Sequence, residues 1–136
     1  MGLGEYIGCV IVAIHRYGCL TILSFLCQIS FANAELANLD FDVITIDGDV
    51  DRATARQVIG DNVALQGNYD PRELIEDGTK TPETVRKTAK EMLEALGPQK
   101  LIANLGEGLG GKESTALVNA FVEAIHEESA VMIKAA

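Results

Sequence analysis

The chain has 136 residues, of which 48% are apolar and 23% charged, a make-up that suits one folded domain and excludes a disordered segment. Twenty acidic against eleven basic side chains give a net charge of −9, so the summed field repels phosphate backbones and anionic lipid headgroups and excludes a nucleic-acid partner. There is no Trp and no basic run in which aromatic side chains could interleave as a base-stacking platform.

Residues 1 to 30 form an apolar N-terminal segment of uncertain origin. The stretch from 17 to 34 carries no formal charge, and three readings of it compete. A membrane span would sit at the lower length limit and would have to hold Gln28, Asn33, Thr21, Ser24 and Ser30. A signal peptide would use Arg16 ahead of the apolar core and Ala32-Asn33-Ala34 as its cleavage pattern. The third reading is a buried piece of an α/β domain, or a stretch joined to one. Cys9, Cys19 and Cys27 are odd in number and show no C-x-x-C spacing, so they read as free thiols acting as small hydrophobes in a reducing compartment. His15 stands alone, without a second ligand at metal spacing, and Tyr6 breaks the myristoylation pattern of the opening residues.

From residue 41 the pattern becomes regular. FDVITI (41 to 46), NVALQ (62 to 66) and KLIAN (100 to 104) are short runs rich in Val, Ile and Leu and bounded by Gly, Asp or Asn, as buried parallel strands are. A helix-like stretch follows each. In the first, Asp49 is the expected cap, Val50, Ala53 and Ile59 the apolar side, and Gly60 the stop. In the second, Thr81 caps, Pro82 fills the first turn, and Val85, Ala89, Met92, Leu93 and Leu96 share one face. The last starts near Ser114, with Leu117, Ala120, Phe121, Ala124 and Ile125 on one side and Asn119, Glu123 and Glu127 opposite. The order β-α-β-α-β-α implies an α/β fold with a parallel sheet and right-handed crossovers.

Ligands bind such sheets beyond the carboxyl ends of the strands. The three loops there are IDGD, QGNYDP and NLGEGLGG. The last spaces its glycines as G-x-G-x-G, and the chain ends in a helix instead of the acidic strand tip of a dinucleotide site, so it does not read as one. Its glycines either let backbone approach a ligand or take positive φ. Asp70 before Pro71 reads as a cap, Asn68 after Gly67 as part of a tight turn, and Asp47 and Asp49 as capping and solvated residues. His126 lies on the polar flank of the last helix, so no Ser-His-Asp or Cys-His arrangement can be assembled.

LQGNYDP, LEALGPQKLIANLGEGL and VNAFVEAIHEES, in this order, resemble the C-terminal part of the uroporphyrinogen decarboxylases, whose usual forms read LQGNLDP, GP-x-x-x-IANLGHG and V-x-AFV-x-x-VH. The preceding FANAELANLDFDVITID is similar to the family as well, so the resemblance runs from about residue 31 to 129. It implies that residues 31 to 136 are the last three or so β/α units of a (β/α)8 TIM barrel. It also implies a cofactor-free lyase without a metal, which removes the carboxyl groups of four acetate side chains of uroporphyrinogen to give coproporphyrinogen in porphyrin, haem and chlorophyll biosynthesis. The implied partner is the tetrapyrrole, with a homodimer to be considered, no membrane, and a cytoplasmic or plastid location. The matched helix would run through the cleavage pattern after Ala34, which favours a soluble chain over a signal peptide.

The departures set the functional expectation. A barrel of this kind takes roughly 250 residues, and the family's N-terminal arginines, its aspartate, tyrosine and serine have no counterpart here, so no catalytic residue is assigned. The one substrate residue inside the resemblance is the histidine of NLGHG, and Glu107 stands in its place, flanked by Gly106 and Gly108 as the candidate substrate-binding residues. A histidine there can donate to a substrate carboxylate, whereas a carboxylate only accepts. The expectation is a C-terminal fragment without decarboxylase activity of its own. The alternatives are a non-catalytic interaction module, pairing with itself or a full-length homologue, and a zinc-dependent corrinoid methyltransferase. The latter needs a later cysteine ligand, and none follows Cys27.

Overall fold

The computed structural model describes residues 10–17, 20–26 and 42–135. Its sheet has five strands in the order β1-β2-β3-β4-β5, which are Val10–Tyr17, Leu20–Leu26, Val43–Thr45, Ala64–Tyr69 and Leu101–Leu105. β1 and β2 pair antiparallel, β2 pairs parallel with β3, and β3, β4 and β5 continue in parallel. The two N-terminal strands thus form within the segment that composition alone left without an assigned structure. The expected helix through residues 31 to 40, with the cleavage pattern, lies outside the described residues, as does Phe41 at the start of the first expected strand.

Three α-helices follow the parallel strands: α1 Arg52–Ile59, α2 Pro82–Leu96 and α3 Thr115–Ala135. The cap of α1 corrects the sequence expectation. Asp51, not Asp49, accepts from Thr54 N at 2.8 Å, because only Asp51 stands three residues ahead of that amide. The buried side also shifts, with Ala55 and Ile59 inside and Ala53 exposed. Gly60 ends the helix as expected, at φ 76° with its N–H on Arg56 O. α2 matches throughout. Thr81 and Thr84 bond reciprocally in a capping box, Pro82 opens the helix, and Val85, Ala89, Met92, Leu93 and Leu96 are all buried. In α3, Leu117, Ala120, Phe121 and Ala124 are buried, Ile125 is half-buried, and Asn119, Glu123, His126 and Glu127 are exposed.

The core lies between these helices and one face of the sheet. Ile44, Ile46, Leu65 and Tyr69 bury into it together with the helix residues, and Leu101, Ala103 and Leu105 pack against it. Thr45, Gln66 and Ile102 are paired across the other face, the one a closed barrel turns inward. α2 and α3 are further tied by Arg86, which bonds Glu127 at 2.6 Å and Glu123 at 2.8 Å, exposed pairs that contribute little each.

Arg56 fastens the opposite end of the layer. Its guanidinium donates to Leu96 O at 2.7 Å, Gly60 O at 2.9 Å, Val63 O at 3.1 Å and Lys100 O at 2.9 Å, joining the ends of α1 and α2 to the starts of β4 and β5. One planar fork thus serves several backbone carbonyls at once. Burial lowers the Arg56 pKa from its ordinary value.

β4 runs three residues past Gln66, so Asn68 and Tyr69 are strand residues and not the expected turn. The Gly67–Asn68 peptide is cis. Tyr69 stands where the resembled motif has leucine. Its ring meets Phe121 at a centroid distance of 4.5 Å, and its hydroxyl is buried without a hydrogen-bond partner. Burial, with the nearby Glu73 carboxylate, pushes the phenol pKa up. An unpaired buried hydroxyl costs about 1–3 kcal/mol, so Tyr69→Phe is expected to raise stability by about 1–2 kcal/mol. Urea unfolding of the two chains measures this, and a less stable variant would show that the hydroxyl does have a partner.

Candidate functional site at the carboxyl ends of the parallel strands

The three loops beyond β3, β4 and β5 converge through backbone contacts. Ile46 N–H donates to Gln66 O at 2.8 Å and Gly106 N–H to Tyr69 O at 2.8 Å, which carries the sheet ladder into the loops. Gly106 then lies on Gly48. A Cβ on Gly106 would sit 2.5 Å from Gly48 Cα and closer still to its amide nitrogen. The first glycine of the run is therefore required by loop-on-loop packing, a third role beside ligand approach and positive φ.

Asn68 holds the β3 loop from beneath. It is fully buried, donates from Nδ2 to Asp47 O and Val50 O at 2.9 Å each, and accepts from Arg52 Nε at 2.8 Å. Burial of Arg52 lowers its pKa from the ordinary value, with Tyr69, Glu91, Asp51 and Asp70 working against that shift. Sequence reading passed over this group. Its trace in the sequence is Asn68, one of two amide residues in the strand ALQGNY.

The polar rim is made by short-range pairs. Asp70 caps the 3-10 helix Pro71–Leu74 through Arg72 N, as expected. Arg72 reaches back to Asp70 at 2.8 Å and across to Asp49 at 2.9 Å. Partial burial works to raise the Asp70 pKa, but the hydrogen bonds and charge of Arg72 outweigh it and hold the carboxyl below its ordinary value. Hydrogen bonding to Asp70, seconded by Asp49, raises the Arg72 pKa.

Past Gly106 the loop opens. Glu107, Gly108 and Leu109 are exposed, and among the described residues Glu107 has no hydrogen bond or ion pair. Gly110, Gly111 and Lys112 turn their N–H groups onto the Glu113 carboxylate at 2.8–3.0 Å, and these bonds lower its pKa. Ser114 donates its N–H to Leu74 O at 2.8 Å and its hydroxyl to Glu76, which joins the start of α3 to the β4 loop. Of the candidate residues, Gly106 sits inside the loop junction, while Glu107 and Gly108 face solvent beside it. No cluster of His, Cys, Asp or Glu among the described residues has the grouping of a metal site.

Residues 4–128 match the family model described as "Uroporphyrinogen decarboxylase (URO-D)". The chain belongs to the uroporphyrinogen decarboxylase family. The match starts ahead of residue 31, where the motif resemblance begins, and takes in β1 and β2. Relatives named uroporphyrinogen decarboxylase include that of Salinibacter ruber, 37% identical over 99 residues, that of Ovis aries, 39% over 102, and that of Homo sapiens, 38% over 102. The alignments cover 73–75% of this chain and 27% of each relative, so the chain spans about a quarter of the length of the family members it matches. Among solved structures, a methyltransferase from Methanosarcina mazei superposes with a TM-score of 0.64 at 23% identity, over 79% of this chain and 31% of that one. That likeness concerns the fold alone and agrees with a partial (β/α)8 barrel.

Proposed function

We propose that this chain supplies the carboxyl-end loops of the last barrel strands to a uroporphyrinogen-binding site, and that by itself it has no decarboxylase activity. The supporting observation is the charge around Glu107. The face carries Asp47, Asp49, Asp70 and Glu107, and its exposed guanidinium, Arg72, is already held by two of these carboxylates.

The reaction breaks the bond between an acetate methylene and its carboxyl carbon, releases CO2 and returns a proton to the carbon. It requires cations that hold the substrate's other carboxylates and a polar group at the pyrrole nitrogens that meets the developing charge. This face offers mainly acceptors. A substrate carboxylate about 4 Å from Glu107 meets a repulsion of roughly 1 kcal/mol in water and about 4 kcal/mol at an effective dielectric of 20. With the balance on that side, binding is weak and the carboxylate is not positioned for loss of CO2.

Incubating the purified chain with uroporphyrinogen and separating the products by fluorescence-detected chromatography is expected to give no coproporphyrinogen above the uncatalysed level. Turnover would overturn the proposal. Glu107→His exchanges an acceptor for a donor and is expected to tighten uroporphyrinogen binding about tenfold, equivalent to about 1.4 kcal/mol. Unchanged binding would remove Glu107 from the site.

A further inference from the structure

Near the carboxyl end of β5 one side-chain amide is exposed and only half used. Leu101, Ala103 and Leu105 pack against the core on the helix side, so the alternation of side chains along the strand turns Ile102 and Asn104 to the opposite face, the one a closed barrel turns inward. Asn104 is exposed there, three positions ahead of Glu107. Its Oδ1 accepts from Leu105 N–H at 2.9 Å. That bond decides which way the amide stands, because the reversed orientation would set Nδ2 against the Leu105 N–H, donor to donor. The two N–H groups of Nδ2 then have no acceptor among the described residues.

The donors around it are engaged. Asn68 spends Nδ2 on Asp47 O and Val50 O, Gly106 N–H meets Tyr69 O, Glu113 holds the N–H groups of Gly110, Gly111 and Lys112, and Arg72 is held by Asp49 and Asp70. Beside Asn104 on the inward face stand neutral side chains, Ile102, which is 42% exposed, and its β4 neighbour Gln66. A carboxylate set against Glu107 or the rim aspartates is repelled. One lowered onto β5 meets two free N–H groups instead, and hydrogen bonds to a charged group are stronger than those between neutral groups.

We propose that Asn104 is a specificity-determining residue of this face: its Nδ2 donates to a carboxylate arm of the tetrapyrrole, while Leu105 N–H, by holding Oδ1, keeps the donor end free for the ligand. The inference rests on the uroporphyrinogen-binding role proposed above.

Equilibrium dialysis with uroporphyrinogen, kept reduced under argon, is run on the 136-residue chain and on its Glu107→His variant, each with and without a change at Asn104. Asn104→Asp keeps an oxygen for Leu105 N–H but exchanges the amide donor for an acceptor, and it is expected to weaken binding at least about tenfold. Asn104→Ala removes the donor without adding charge and is expected to weaken binding about fivefold. The added charge of Asn104→Asp also acts at a distance, so binding is read again in about 1 M salt, where the Debye length is about 3 Å and a loss that comes from contact persists. Exchange of the Leu105 amide in Asn104→Asp is expected to match the parent, which separates loss of the donor from a loosened strand. Unchanged binding in Asn104→Ala, a loss in Asn104→Asp that disappears in salt, or a loss in Asn104→Asp accompanied by faster Leu105 exchange would overturn the inference and leave the proposed function standing. No saturable binding by either the chain or its Glu107→His variant would overturn that function and the inference with it.

Discussion

Gly106→Ala is expected to lower stability by about 3 kcal/mol or more, while Gly108→Ala, two residues on, is expected to stay within about 0.5 kcal/mol. Each substitution adds the same methyl group, so the difference comes from what surrounds it. At Gly106 the new Cβ would press on the amide nitrogen and Cα of Gly48, with Asp47 C at 3.3 Å. These are backbone atoms that no rotamer change can move, so the β5 loop must lift from the β3 loop and give up the Gly106 N–H to Tyr69 O bond. At Gly108 nothing lies within 4 Å. Urea unfolding of both variants measures the contrast. Equal effects would mean that the Gly48–Gly106 contact does not hold the loops together. On this expectation Gly106 is a structural requirement of the loop junction, while Glu107 and Gly108 stay exposed beside it.

Sequence revealed the elements whose signals are local. Thr81, Pro82 and the spacing of the apolar residues from Val85 to Leu96 placed α2, because a cap and a helical face are decided within a few turns. The cap of α1 was misplaced for the same local reason. Asp47, Asp49 and Asp51 recur every second residue, and the choice falls to the one that reaches Thr54 N. Asn68 escaped notice because its partners, Asp47 O and Val50 O, lie 21 and 18 residues away, and Gly-Asn reads as a turn until those carbonyls are seen to need donors. The glycine run was legible as an open loop. That its first member is packed against Gly48, and that Arg56 gathers four carbonyls from separate elements, are facts of tertiary proximity that no window of sequence contains. The motif order carried the family, and the place of Glu107 could be read only against that family's pattern.

Asn68→Leu is expected to cost about 3–4 kcal/mol, although leucine is close in volume and better suited to an apolar interior. The side chain is fully buried, so water cannot replace what it gives up. Two backbone carbonyls lose the Nδ2 donor at 2.9 Å, and Arg52 Nε loses its acceptor at 2.8 Å. Buried groups left unpaired cost about 1–3 kcal/mol each, and the gain from burying an isobutyl group, about 2 kcal/mol, offsets only part of that. Arg52→Ala removes a single bond from a half-buried guanidinium and is expected to cost about 1 kcal/mol. The asymmetry is the informative quantity. If Asn68 works by holding the Asp47 and Val50 carbonyls, its loss should also speed amide exchange at Gly106, because the β3 loop on which Gly106 rests is then loosened. Arg52→Ala should leave that exchange unchanged. Urea unfolding with hydrogen exchange separates the cases, and an Asn68→Leu chain within 1 kcal/mol of the parent would show that the loop is held by the Gly48–Gly106 contact alone.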